Sequence, residues 1–386
     1  MCFANSGNQP DLPVGSAPCA ASSALSLPWR RGQITLFIIM DLHAKANPSH
    51  QYGLVGFPAQ AAAMKNGLFF LVRAWHLSPM TAFGPHRFAF GAMQFGGTAS
   101  AADAAELYAA CRAAGITHFD TAHAYTNGAS EQLLGDLVRP ERDAVFIATK
   151  AGYLGGASRH NILSTFDESR QRLQLDHVDL LYLHRFDDAT PLEETFQTLA
   201  KLQADGLINH IGVSNFAAWQ VMKAQAVAAR LGTSISYIQP MYNLVKRQAE
   251  VEILPMAQAE GLVPCTYSPL GGGLLTGKYS AQQAASDGRL ATDHRYAARY
   301  GQPEMHRAAA DLAALAADLG LHPATLAVAW VLQHPAAPLP ILSARNAAQL
   351  APSLAAINYD LDADTYARLQ AIFPAPPPAT DRIEEA

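Results

Sequence analysis

From Arg87 onward, short β-branched or aromatic runs alternate with stretches of helical periodicity. This alternation constrains the fold more than any other feature, because it is the pattern of a parallel sheet whose strands are joined by crossover helices. Strands are expected at about 87–91, 117–120, 145–149, 178–183, 210–213, 234–239, 262–267 and 339–342. Between them Ala104, Leu107, Tyr108 and Cys111 recur at helical spacing, as do Leu192, Phe196, Leu199 and Leu202, so each helix has an apolar face for the sheet. Thr190 and Glu193 have capping-box spacing, with Pro191 at the first helical position, where its missing N–H costs nothing. Eight such units in roughly 300 residues fit a closed barrel better than an open doubly wound sheet. No Gly-x-Gly-x-x-Gly turn follows the first strand, and Gly96 with Gly97 is too short for one. The expected fold is α/β, a single (β/α)8 TIM barrel over residues 81–373. A long loop at 280–301 covers the mouth and two helices fall within 305–334, both between strands 7 and 8, before a C-terminal helix at 362–373.

The flanks read differently. Residues 1–80 are Pro/Ala/Ser-rich stretches broken by short apolar bursts at 34–40 and 67–72, neither as long as a membrane span. Arg30 and Arg31 ahead of the first burst have the look of a twin-arginine signal, but Asp41 cuts the apolar run short. We expect an irregular extension, with the native protein starting near Met80, and a frayed, proline-rich tail at 374–386. A formal net charge of −5 offers no basic field for nucleic acid or an anionic membrane. Cys2, Cys19, Cys111 and Cys265 show neither metal-ligand spacing nor the density of a disulfide scaffold, which suits a reducing cytoplasm.

Polar residues stand at the ends of these strands: Asp120 after the second, Lys150 after the third, His184 after the fourth, Ser214 and Asn215 after the fifth, Gln239 after the sixth. In a barrel those ends open on one face and converge on one ligand. Tyr125 lies five residues beyond Asp120, so its loop can fold back over the strand end. A free phenol, with a pKa near 10, is a poor acid or base at neutral pH. A nearby Lys150 ammonium favours the phenolate and lowers that pKa, Asp120 would hold the lysine, and His184 can donate to the same carbonyl oxygen.

With these residues in view, the chain resembles an aldo-keto reductase from about Phe90 to Phe373. The resemblance rests on residues 119–125 with Gly128, Ser130 and Glu131, on 148–150 with Gly152, on 179–184, and on Gly206 with 212–215. It continues through Gln239, Tyr242 and Asn243, and through 267–270 with Gly273, Leu274, Leu275, Gly277 and Lys278. It implies that Asp120, Tyr125, Lys150 and His184 form a catalytic tetrad, with Tyr125 the general acid in reduction, hydride coming from the nicotinamide of NADP(H), and no metal. It also implies that Gly91, Ala92, Met93 and Asp120 lie near the nicotinamide, that Ser214, Asn215 and Gln239 hold its carboxamide, and that Tyr267 stacks on its ring. Ser268, Pro269, Leu270, Gly271, Gly273 and Lys278 would form a belt over the pyrophosphate. Ser343, Arg345, Gln349 and Ser353 would meet the adenosine end, with Arg345 placed to pair with a 2′-phosphate. Ser343 stands where a glycine is usual, Pro352 and Ser353 stand where Glu and Asn are, and Leu207 and Asn209 replace basic residues before the fifth strand.

The implied partner is a small carbonyl substrate, with no nucleic acid and no membrane, and the oligomeric state is left open. Tyr153, Leu154, Phe186 and the loop around 289–300 are expected to line the mouth and favour small or aromatic aldehydes. The alternative is a catalytically weak barrel of the cofactor-sensing, channel-subunit kind. A metal-dependent barrel enzyme would need a cluster of carboxylates and histidines at ligand spacing, which the sequence does not show.

Overall fold

The computed structural model describes residues 87–279, 288–382 and 384. The expectations made for residues 1–80 and for the first part of the 280–301 loop lie outside the described residues.

Eight parallel strands close into a barrel in sequence order: β1 (Ala89–Gly91), β2 (His118–Asp120), β3 (Phe146–Ala151), β4 (Val178–Leu183), β5 (Ile208–Ser214), β6 (Ile235–Gln239), β7 (Val263–Thr266) and β8 (Leu339–Leu342). β1 pairs with both β2 and β8, which closes the ring. Six helices run between successive strands up to β7: α1 (Ala101–Ala113), α2 (Ala129–Val138), α3 (Arg159–Leu173), α4 (Leu192–Ala204), α5 (Ala218–Arg230) and α6 (Ile253–Glu260). Between β7 and β8 stand α7 (Arg289–Thr292), α8 (His294–Tyr300), α9 (Pro303–Asp318) and α10 (Pro323–Leu332), followed after β8 by α11 (Ala347–Ala355) and α12 (Ala363–Ile372). The stretch expected as a loop is thus partly helical, and one further helix follows β8. Described residues 374–382 carry neither helix nor strand.

Side chains alternate across each strand, and the two sets meet different neighbours. Ala89, Phe146, Ala148, Leu180, Tyr182, Tyr237, Cys265, Leu339 and Ile341 form one buried cluster, the filling of the barrel. The opposite set, with Phe90, Phe119, Ile147, Leu181, Val213 and Ile238, packs against the helices. The inward parity carries on to the strand ends. Asp120 is level with Ala148, Lys150 with Tyr182 and Ser214 with Gln239, so the inward polar groups emerge at the C-terminal mouth.

Helix starts follow local chemistry. Ser100 caps α1 in a reciprocal box with Asp103, and Ser158, Asn346 and Asp362 cap α3, α11 and α12. The box expected from Thr190 and Glu193 does not form. Pro191 is itself the cap of α4, with no side-chain bond. The Thr190 hydroxyl instead donates to the Asp187 carboxylate at 2.6 Å, a charged acceptor that outcompetes a backbone partner, while Glu193 pairs with Arg230 at 2.9 Å.

Candidate active site

The segment that follows β2 carries Tyr125 and is tied down on both sides. Thr126 donates to the Phe95 carbonyl at 2.8 Å and accepts from the Ser130 amide. Ser130 donates to the Ala92 carbonyl at 2.7 Å and shares a 2.8 Å hydrogen bond with Thr121. The fully buried Glu131 accepts from the Thr149 hydroxyl at 2.7 Å and pairs with Arg172 at 3.3 Å, and the same guanidinium donates to the His123 carbonyl at 3.1 Å. Ser130 and Glu131, singled out by motif, therefore act as struts between the tyrosine loop and the strand bearing Lys150.

Lys150 is 1% exposed and forms a buried ion pair with Asp120. Its ammonium also donates to the Thr121 carbonyl at 2.8 Å and to the Tyr125 hydroxyl at 3.3 Å. Gln239 donates to the other Asp120 oxygen at 2.8 Å, which leaves that carboxylate doubly held. His184 meets Tyr125 edge-on, with ring centroids 5.7 Å apart. Its Nδ1 has no hydrogen-bond partner among the described residues. The four residues expected to form a tetrad thus stand together at the mouth.

Burial acts on Tyr125 more strongly than the ammonium does, so the phenol sits above its ordinary pKa despite the downward pull of Lys150. This corrects the expectation of a lowered pKa. Burial pulls Lys150 down, but Asp120 and Tyr125 outweigh it and the ammonium is held above its usual range. Burial, then the charges of Lys150 and Arg185, push His184 down to about 3, so its imidazole is neutral at physiological pH. A protonated phenol, a fixed ammonium and a neutral imidazole can together donate a proton and hydrogen-bond a carbonyl oxygen.

From this corner a cavity of about 1260 Å³ runs along the barrel mouth. Gly91, Met93, Ser214, Asn215, Gln239 and Tyr267 line it beside Asp120, Tyr125 and His184. Asn215 donates to Ser214 and to the His184 carbonyl and accepts from the Tyr267 hydroxyl at 2.8 Å, which fixes the plane of that ring. Ser268, Pro269, Leu270, Gly273 and Lys278 line the middle, and Ser343, Arg345, Gln349 and Ser353 the far end, where Asn346 caps α11. Lys150, Ala92 and Gly271 do not line the cavity. Lys150 lies beneath it. Ala92 is buried, its amide bonded to the Asp120 carbonyl, and the space at Gly271 faces Leu275 and Tyr300.

The mouth differs from expectation. Tyr153 lines it, but Leu154 is 67% exposed outside the cavity lining, and Phe186 packs on Phe216 and Trp219 because that face offers apolar area. The stretch expected at 289–300 does line it, through Asp293, Arg295, Tyr296 and Arg299, and Arg185 and Gln94, which donates to Ser343 at 3.3 Å, join it unexpectedly. Arg185 and Gln94 belonged to no recognised spacing. Only Asn346 had a readable signal, as a cap preceding a helical run. Among the described residues no group of three or more His, Cys, Asp or Glu could hold a metal ion.

The cavity has the dimensions and chemistry for a dinucleotide. It exceeds an ordinary small-ligand pocket, carries Lys278 and Arg345 along its length, and has a close-approach wall at Gly272, where a Cβ would come within 2.6 Å of Tyr296. The helix N-terminus at Asn346 adds backbone donors beside Arg345.

The model of the Aldo/keto reductase family matches residues 87–373. The chain is 34% identical over 277 residues to a probable voltage-gated potassium channel subunit beta of Oryza sativa subsp. japonica, covering 68% of this chain and 84% of that protein. It is 33% identical over 310 residues to an uncharacterized oxidoreductase of Bacillus subtilis, covering 75% and 93%. With aflatoxin B1 aldehyde reductase member 2 of Rattus norvegicus it shares 38% identity over 195 residues, 49% of this chain and 53% of that one.

Proposed function

The chain belongs to the aldo/keto reductase family and is an oxidoreductase, and from that premise we propose that it reduces small aldehydes or ketones to alcohols with NADPH. The observation that carries the proposal is the Tyr125 hydroxyl held 3.3 Å from a buried Lys150 ammonium, itself paired with Asp120, at the edge of a cavity long enough for a dinucleotide.

When bound, the nicotinamide supplies the hydride. Ser214, Asn215, Gln239 and Tyr267 would hold that end, Ser268, Pro269, Leu270, Gly272, Gly273 and Lys278 the pyrophosphate, and Arg345 with Gln349 the adenosine end. His184 donates an N–H to the carbonyl oxygen and orients the C=O. As negative charge grows on that oxygen, Tyr125 gives it the phenolic proton, and the product leaves as the alcohol. The resulting phenolate is stabilised by Lys150, whose ammonium Asp120 keeps in place, until the phenol regains a proton from water.

A second reading keeps the cofactor and drops turnover, and the identity to a probable channel subunit beta favours it. Oxidation of NADPH by the purified chain in the presence of a nitrobenzaldehyde separates the two. Turnover supports the reductase. Tight NADPH binding without turnover of any aldehyde or ketone in a panel would leave the sensor.

A further inference from the structure

Along the carbonyl end of the cavity the charges do not balance. Asp120 is matched by Lys150, and Arg295 forks onto Asp293 at 2.8 and 3.1 Å. Arg185 and Arg299 remain. Among the described residues neither has a carboxylate at salt-bridge distance, and each guanidinium lies over an aromatic face instead, Arg185 5.3 Å from the Tyr153 centroid and Arg299 5.4 Å from that of Tyr296. Asp187, the acid nearest Arg185 in the chain, is already occupied by Thr190 and by the amides of Ala157 and Ala189. An aromatic face orients a guanidinium without satisfying its in-plane donors, so both arginines keep their hydrogen-bonding forks available.

Their position relates them to the chemistry. Arg185 directly follows His184, and Tyr153, the ring it covers, lies 4.8 Å from the His184 imidazole. Arg299 comes from α8 and lies over Tyr296, a ring close enough to Tyr125 to act on its hydroxyl electrostatically, and both arginines line the cavity. We propose that these two arginines form an anion subsite, and that the substrate is an aldehyde carrying a compact oxyanion, a carboxylate or a phosphate, a few bonds from its carbonyl. The proposal rests on the reductase reading above. The oxyanion accepts hydrogen bonds from guanidinium groups that the fold orients and leaves without a salt bridge, and it sets the carbonyl toward His184 and Tyr125.

The test compares kcat/KM within two matched pairs, a carboxybenzaldehyde against its methyl ester and glyceraldehyde 3-phosphate against glyceraldehyde, in the wild type, Arg185→Gln, Arg299→Gln and Arg185→Lys, with the NADPH Kd measured for each. A charged substrate preferred by about tenfold or more, carried mainly by KM, supports the subsite, and the pair that shows it identifies the oxyanion. Each Gln variant should shrink that preference several-fold and Arg185→Lys should retain part of it. Equal kcat/KM within both pairs would overturn the subsite while leaving the reductase standing. Variants that weaken NADPH and leave the charged-to-neutral ratio untouched would also overturn it, assigning the arginines to the cofactor. No turnover of any of the four aldehydes, with NADPH still bound, would overturn the reductase reading and the subsite with it.

Discussion

A phenol is a poor acid at neutral pH, and two opposing effects set how poor Tyr125 is. Burial raises its pKa and Lys150 lowers it, with burial ahead. The group is therefore protonated throughout the physiological range, the state that reduction requires. The rate of reduction should stay level from about pH 5 to pH 9 and fall only as pH rises through the phenol's own pKa, whereas alcohol oxidation, which needs the phenolate, should climb with pH. His184, at about 3, should contribute no inflection in that window. An inflection near pH 6.5 that vanished in His184→Ala would contradict the assignment. At the far end, Arg345→Ala should weaken NADPH by about 2 kcal/mol more than NADH, read from the two dissociation constants, if the guanidinium meets a 2′-phosphate. Equal weakening of both would remove that contact. The grouping of Asp120, Tyr125, Lys150 and His184 at the mouth was legible in sequence because each stands at a strand end or in the turn after one, a register that periodicity reveals, whereas their catalytic roles came only from the family resemblance. Arg185 was not legible, and Arg299 was only part of the stretch expected at the mouth, because an arginine after a strand or on a helix has no signature of its own until packing lays it on Tyr153 or Tyr296.

At the scale of elements, the tyrosine loop depends on α2 and α3 as much as on β2. Glu131 on α2 is fully buried and Arg172 on α3 is its ionic partner. Arg172→Met would leave a buried carboxylate without its counter-charge and free the His123 carbonyl, at a cost of about 3 kcal/mol, since the guanidinium end is itself partly solvated. Urea unfolding should show that loss, and kcat should drop as the Tyr125 loop loosens while NADPH affinity changes little. Unchanged kcat in a destabilised variant would make the strut purely structural. Strands β4 and β8 agree with the expected boundaries residue for residue, because polar or turn-forming residues bound compact apolar runs there. The start of α4 could not be read, because Asp187 competes for Thr190 and sequence spacing does not show which acceptor wins. The same holds for α7 and α8, whose short turns follow no apolar periodicity.

For the whole molecule, the barrel buries two imidazoles in neutral form. Burial is the main cause for both His118 and His184, each depressed to about 3, with Lys150 adding to it. Between that value and the unfolded pKa near 6.5 the unfolded chain binds more protons, so stability rises with pH and is lost on acidification. The two histidines together should remove about 4 kcal/mol between about pH 7 and pH 5, and His118→Asn should roughly halve that slope in urea titrations at several pH values. A flat profile would mean that neither imidazole is buried as described. The closed barrel and its mouth were legible from eight alternating units, since the direction of parallel strands fixes which ends converge. The central claim is that the phenol of Tyr125 delivers the proton, and single-turnover reduction by Tyr125→Phe with NADPH saturating tests it most directly. The chemical step should slow by about a thousandfold or more with the NADPH Kd nearly unchanged. A rate within a few-fold of wild type would contradict it.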